Sequence, residues 1–242
     1  YSVTKESDLG QNLGTGELRN SALAEAWSTA VKDRESHMTD MAPYAPSNGE
    51  PAMFMGVPIL EGGIVEAVVA VQLNPKAIND IMQNRTGMDE TGETYLVGQD
   101  YLMRSDSYLD PTNHSLVASF KNPASGSIKS SSAKSALSGG TGTDAIIDYN
   151  ENEVLSAYAP FEFLDLKWAL IAEIDTAEVF SAATELRNTT LILAAVFIVI
   201  IILIAVLLGN FITKPIINAV KSIMESNDQV LSASTEIADS AT

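Results

Sequence analysis

The chain has 242 residues, two His, no Cys and a formal net charge of −17. Without Cys there is no disulfide, thiolate metal site or Cys nucleophile, and so acidic a balance is a poor match for nucleic acid or anionic lipid, which need clustered Lys and Arg. Residues 1–186 hold eleven Lys and Arg against 27 Asp and Glu, so nearly all of the net charge precedes the last quarter of the chain. His37 and His114 lie far apart with no ligand-like partner at short spacing, and no zinc site is predicted.

Tyr1 to Thr4 alternates as a strand does, and the opening without Met or leader reads as the start of a fragment, leaving room for a preceding membrane helix. Lys5 to Gly16 is a polar loop punctuated by Gly. Asn20 or Ser21 caps a helix through Leu23, Ala26, Trp27, Ala30 and Val31, with Trp27 as core. Three prolines and a Ser-Asn-Gly turn exclude regular helix from Thr39 to Pro51. Ala52 to Leu60 and Ile64 to Leu73 are strands joined through Glu61-Gly-Gly as a hairpin. Asn74-Pro75 starts a helix that ends near Arg85 to Gly87, where a domain boundary is placed.

The next part is β-rich. Thr94 to Val97 and Tyr101 to Ser105 flank Gly98-Gln-Asp as a hairpin. A polar stretch from Asp110 to Thr143 holds one short helix at Ala133 to Leu137. Strands follow at Asp144 to Tyr149, Val154 to Ala159 and Trp168 to Ile174, so five antiparallel strands are predicted. Asp175-Thr-Ala-Glu178 reads as a capping box opening one unbroken helix, since residues 175–208 contain neither Gly nor Pro.

Leu191 to Leu208 is eighteen residues without charge, Gly or Pro. As a helix rising about 1.5 Å per residue it covers roughly 27 Å, close to the hydrocarbon thickness of a bilayer. A buried core helix would keep a polar stripe, so this segment is read as a membrane span. Arg187 before it and Lys214 and Lys221 after it weakly favour a cytoplasmic C-terminus. Beyond Pro215, Ile216, Val220, Ile223, Asn227, Val230, Ser234, Ile237 and Ala241 follow alternating steps of four and three. Ile217, Met224, Leu231 and Ala238 follow strict sevens. That repeat predicts a coiled coil or helical bundle, and hence a homodimer.

Several stretches resemble a known family. Asp40-Met-Ala-Pro-Tyr-Ala-Pro-Ser-Asn-Gly-Glu-Pro-Ala-Met-Phe with Val57-Pro-Ile looks like the end of a membrane-distal Cache module. Gly87-Met-Asp-Glu-Thr-Gly-Glu-Thr-Tyr-Leu-Val-Gly-Gln-Asp-Tyr-Leu-Met-Arg-Ser-Asp-Ser looks like the opening of a membrane-proximal one. Val154-Leu-Ser-Ala-Tyr-Ala-Pro and Trp168-Ala-Leu-Ile-Ala-Glu-Ile-Asp resemble its closing strands. Ile212-Thr-Lys-Pro-Ile is similar to a HAMP start, and Gln229-Val-Leu-Ser-Ala-Ser-Thr-Glu-Ile-Ala to a first signalling helix. Together they resemble a bacterial chemoreceptor, a methyl-accepting chemotaxis protein with a double-Cache sensor.

The resemblance implies an α+β fold of two PAS-like Cache modules with antiparallel sheets and flanking helices, then a transmembrane helix and a coiled-coil-type cytoplasmic helix. The segments are 1–86 (distal module, N-terminally incomplete), 87–186 (proximal module), 189–208 (span) and 209–242 (the start of a HAMP-like or signalling helix). It implies a bacterial inner-membrane location with residues 1–186 extracytoplasmic, a small-molecule ligand, no cofactor and no enzymatic activity. Chemotaxis kinase and coupling protein would bind a downstream region. Two departures stand out. No Gly or Pro follows Pro215, so any HAMP domain is abbreviated or absent. The family's Arg-x-Trp-Tyr cluster is missing, and Gln72 stands where an Asp partner for a ligand ammonium is expected, which argues against a standard amino-acid receptor.

The candidate ligand residues are Asp40, Tyr44, Phe54 and Gln72, whose loop and strands are expected to face one cleft. Tyr95, Arg104 and Asp106 are second choices, Arg104 and Asp106 being read as an ion pair on one strand face. No hydrolase triad, P-loop or dinucleotide glycine pattern appears. The alternative to a chemoreceptor is the same sensor on a histidine kinase or nucleotide cyclase, its catalytic domain beyond residue 242.

Overall fold

The computed structural model of the chain describes residues 7–240. The expected strand at Tyr1 to Thr4 and the last heptad position, Ala241, lie outside them. Contacts divide the chain into two units, Tyr1–Phe180 and Ser181–Thr242.

The first unit begins with turns and then helix α1 (Ala22–Asp33), capped by Ser21, whose Oγ accepts the Ala24 N–H at 3.2 Å. Strands β1 (His37–Met38) and β2 (Ala42–Pro43) and a 3-10 turn (Ala45–Ser47) occupy the proline-rich segment. β3 (Pro51–Glu61) pairs with β1, with β2 and along its length with β4 (Ile64–Leu73), all antiparallel. Gly62 and Gly63 carry the hairpin with φ of 59° and 83°, which side chains with a Cβ disfavour. Helix α2 (Pro75–Met82) starts where Asn74 Oδ1 accepts the Lys76 N–H at 2.9 Å. Arg85 then donates to the carbonyls of Asp89, Glu90 and Gly92 and fastens the loop into the second sheet.

That sheet has the order β5-β8-β7-β6, with β5 at Glu93–Gly98, β6 at Gly142–Ile147, β7 at Glu153–Phe163 and β8 at Leu166–Asp175. Between β5 and β6 run α3 (Leu116–Lys121), α4 (Pro123–Gly126) and α5 (Ser131–Leu137). Only α5 is anticipated by the sequence. The expected fifth strand, Tyr101 to Ser105, makes a single bridge, Val97 to Met103. Two backbone bonds, Gly98 N–H to the Leu102 carbonyl and Arg104 N–H to the Leu96 carbonyl, make that bridge, and hydroxyls take the neighbouring amides: Ser105 Oγ accepts the Leu96 N–H and Ser119 Oγ accepts the Met103 N–H, each at 2.9 Å.

Each sheet has its own core. Ala26, Tyr44, Ala52 and Phe54 fill the first, and Tyr95, Val97, Met103, Ile128 and Ile171 fill the second. A third cluster joins Met38, Met41 and Met53 of the first part to Leu96, Leu116, Leu166 and Trp168 of the second. Burying one side chain from each part in the same cluster ties the two sheets into one unit.

Asp175 makes no side-chain cap bond. Glu178 instead accepts the N–H groups of Glu90 and Thr91 at 2.8 Å each, and the Thr91 hydroxyl as well. These bonds hold its carboxyl below the usual carboxylate range, the Thr91 hydroxyl contributing most. Helix α6 (Thr176–Val179) accordingly ends at Phe180, with φ −94° and ψ 5°, and the unbroken helix expected from Asp175 is interrupted there.

The second unit is a helix, α7 (Ser181–Leu208), long and apolar enough to cross a membrane, followed by a π turn (Gly209–Thr213) and α8 (Lys214–Ser240). Pro215 has no N–H to donate, and the widened turn, closed by the Lys214 N–H on the Gly209 carbonyl, carries the helix past it. The heptad residues Ile216, Val220, Ile223, Val230 and Ile237 are all exposed.

Trp168→Ala removes the largest side chain of the joining cluster at a cost of about 3–5 kcal/mol. The melting temperature of the first unit is expected to fall by on the order of 10 °C, with Trp27 fluorescence and circular dichroism moving together. Separate transitions would contradict a single unit.

Candidate functional site

Asp40, on the loop between β1 and β2, is engaged by Arg104 and Trp168. Its Oδ1 and Oδ2 accept from Arg104 Nε and Nη2, each at 2.8 Å, and Oδ1 also accepts from Trp168 Nε1 at 2.9 Å. Arg104 is 2% exposed, with Asp100 at 3.0 Å, the Leu102 carbonyl at 3.0 Å and the Phe120 ring beneath it. Burial alone would lower the guanidinium pKa, but the hydrogen bonds and charges of Asp40 and then Asp100 outweigh it and raise it. The ion pair expected between Arg104 and Asp106 is replaced by this one, because residues 101–105 do not form a regular strand and Asp106 turns to other partners.

Gly98 makes the arrangement possible. A Cβ at that position would collide with the Arg104 guanidinium, which lies flat on the backbone.

Tyr44 and Phe54 are 1% and 3% exposed and meet edge to face at 4.8 Å between ring centres. The Tyr44 hydroxyl donates to Asp8 Oδ2 at 3.1 Å. Both belong to the first core. Gln72 and Asp106 do come together, in an open cleft of about 620 Å³ between the end of β4, the turn after β2, α2 and the start of α3. Gln72 donates to Ser47 Oγ at 3.2 Å. Asp106 accepts the Leu116 N–H and Asn79 Nδ2, each at 2.7 Å, while Asn79 Oδ1 accepts the Asp106 N–H at 2.8 Å. Glu50 and Lys76 line the same cleft, Lys76 paired with Asp80 at 2.6 Å. Sequence reasoning did not single out Ser47, Glu50, Lys76 or Asn79. The Asn74-Pro75 helix start held the signal for two of them, since it sets Lys76 and Asn79 three residues apart on one helical face.

Tyr95 is fully buried in the second sheet, where its hydroxyl donates to Glu173 Oε2 at 2.6 Å. Glu173 also accepts Ser156 Oγ at 2.8 Å. Directly across the ladder stands Glu93, likewise buried. It accepts Ser107 Oγ at 2.8 Å, the N–H groups of Tyr108 and Leu109 at 2.9 and 3.2 Å, and the Tyr149 hydroxyl. Burial raises the Glu173 pKa to about 7; Asp148 and Glu93 add to the rise, while the bonds from Tyr95 and Ser156 oppose it. Burial and the nearby carboxylates also push both tyrosines well above their ordinary value. His37 and His114 each contact a carboxylate, Asp165 and Asp110, at 2.8 Å. Among the described residues no three His, Asp or Glu converge as metal ligands.

No protein-family model and no curated protein matches this chain. Solved structures do. The periplasmic sensory domain of a Campylobacter jejuni chemoreceptor matches with a TM-score of 0.50 at 17% identity, over 68% of this chain and 58% of that one. The ligand-binding domain of a Pseudomonas aeruginosa amino-acid chemoreceptor in complex with L-arginine matches with a TM-score of 0.47 at 16% identity, over 74% and 64%. The extracellular domain of a protein described as a histidine kinase matches with 0.46 at 15%, over 67% and 57%. The chain spans about three fifths of the length of these structures. The first likeness shows the fold, an α+β architecture of antiparallel sheets with flanking helices.

Gly98→Ala forces the Arg104 guanidinium off Asp40 and Asp100. A loss of roughly 2 kcal/mol in the stability of the first unit is expected, the scale of hydrogen bonds to a charged group. Chemical denaturation measures it, and wild-type stability in this variant would remove the packing argument.

Proposed function

We propose that the chain is the sensor, span and first output helix of a bacterial chemoreceptor, with two Cache-type modules outside the inner membrane and α8 in the cytoplasm. One observation carries the reading: a sensory-domain fold runs directly, in one polypeptide, into a helix of membrane-spanning length. The exposed heptad face of α8 supports a homodimer through that helix. A chemotaxis kinase and its coupling protein would engage signalling helices downstream, and the chain itself would perform no chemistry. A histidine kinase or cyclase output in place of those helices is the alternative; it uses the same sensor and span, and the coding region after Thr242 separates the two.

The ligand of this reading is a small polar molecule held in the cleft. Gln72 and Lys76 reach into it from exposed positions, while Asn79 and Asp106 are locked together behind them. Occupancy would favour one packing of the strands and helices around the cleft over another, as any ligand with unequal affinity for two states does. The shift would leave the sensor along β8 and α6 into α7, a jointed path because of the break at Phe180.

A thermal-shift screen of small polar solutes on the whole chain in nanodiscs is expected to find a stabilising ligand. The double variant Gln72→Leu/Lys76→Ala should bind it about tenfold more weakly, near 1.4 kcal/mol, without lowering the melting temperature of the free protein. Undiminished binding would remove the cleft as the site. In the full-length receptor, a Gly-Pro-Gly insertion at Thr184 should abolish the response and spare binding; normal signalling there would sink the transmission path.

A further inference from the structure

Charge in the first unit is treated in two ways. Arg104 is buried against two carboxylates, whereas Glu93 and Glu173 are buried against each other. They face across β5 and β8, and among the described residues no Lys, Arg or His nitrogen lies within 4.0 Å of either.

Their donor sets differ. Two backbone N–H groups, which can only donate, point at Glu93 along with the hydroxyls of Ser107 and Tyr149. Glu173 meets only the hydroxyls of Tyr95 and Ser156, which can turn and accept. A carboxyl with hydroxyl partners, buried opposite a second carboxyl group and away from water, keeps its proton. The other groups around it deepen that preference. Asp148 and Tyr149 come from the turn between β6 and β7, and Asp175 follows on β8. Behind the Tyr149 ring, His114 is bonded to Asp110. Helix α5 turns Ser132, Ala133 and Ala136 inward and leaves Lys134 in solvent.

We propose that the Glu93–Glu173 pair is a proton-operated latch in the second sheet: a proton on Glu173 lets β5 and β8 close against each other, and its release to water sets two anions in opposition and loosens that pairing. The loop before β5 is bonded to Glu178 of α6, and β8 itself runs into α6, so both strands of the latch converge on the residues that precede α7. The latch is independent of the cleft and does not require the chemoreceptor reading.

The direction of the pH effect follows from proton linkage. The folded state holds the Glu173 proton on the order of a hundredfold more tightly than an ordinary carboxyl does. The stability that Glu173 contributes is therefore greatest below the ordinary carboxylate range, falls as pH rises through it to about 7, and then levels off.

The experiment uses the whole chain in nanodiscs between about pH 5 and pH 8.5, the window set by that linkage. Amide exchange in residues 93–98 and 168–175, corrected for the intrinsic rate, should accelerate with pH while the melting temperature falls. Infrared spectra should show a protonated carboxyl stretch at about pH 6 that disappears above neutrality. Glu173→Gln should abolish that band and flatten both profiles at the low-pH level. A wild-type slope retained in Glu173→Gln, or no carboxyl band at about pH 6, overturns the latch. If Glu173→Gln does not fold, Glu93→Gln decides: loss of the opposing charge should move the transition to lower pH, and an unmoved midpoint overturns the proposal.

Discussion

A guanidinium with 2% of its surface exposed must be answered by fixed carboxylates, because an unpaired buried charge is among the most costly defects a fold can carry. Arg104 is answered by Asp40 from the first sheet's loop and by Asp100 from its own turn. The first of these bonds connects parts of the chain 64 residues apart. Much of the first unit follows from that requirement. Gly98 is small so that the guanidinium can lie on the backbone, Trp168 turns its indole N–H to the same carboxylate, and the methionines of the first sheet pack around them. The half-exposed carboxylates keep the clasp from being merely a buried pair: water reaches Asp40 and Asp100 and eases their desolvation, while the cation stays dry.

The opposite solution is seen some strands away. Among the described residues no cation reaches Glu93 or Glu173, which are bonded instead by hydroxyls and, at Glu93, by backbone N–H groups. Such an arrangement tolerates one negative charge well and two poorly, so it couples protonation to strand pairing, whereas the Arg104 clasp sets a cation against two carboxylates. One unit thus contains a permanent joint between its sheets and a joint within the second sheet that depends on solution conditions.

What could be read from the sequence was what local chemistry decides. The cap at Ser21, the Asn74-Pro75 start, the Gly62-Gly63 turn and both ends of β4 depend on neighbours within a few residues, and they lie where expected. The apolar run ending at Leu208 needed only its composition. The misses are non-local or hydroxyl-mediated. Nothing near Asp40 announces its bonds to Arg104, 64 residues on. Tyr101 to Ser105 has a strand's side chains but pairs through one bridge only, the next amides of β5 and of the segment itself going to serine hydroxyls. Glu178 sits three residues after Asp175, as a capping box demands, yet bonds to the loop at 90–91 because that loop has N–H groups left over. The buried carboxylates did leave a trace in the strand alternation, Glu93 sharing a face with Tyr95 and Glu173 with Ile171, both core residues. Of the residues chosen for a ligand, Gln72 and Asp106 line one cleft, and its other lining residues depended on how the turn after β2 and α2 come together.

The clasp is tested most directly by a double-mutant cycle on Asp40→Asn and Arg104→Met, followed by chemical denaturation of the whole chain. A coupling energy of about 2 kcal/mol, with the double variant more stable than the Asp40→Asn single, is what a paired buried cation predicts. Additivity within about 0.5 kcal/mol would mean that the two residues do not depend on each other, and that the clasp does not join the sheets.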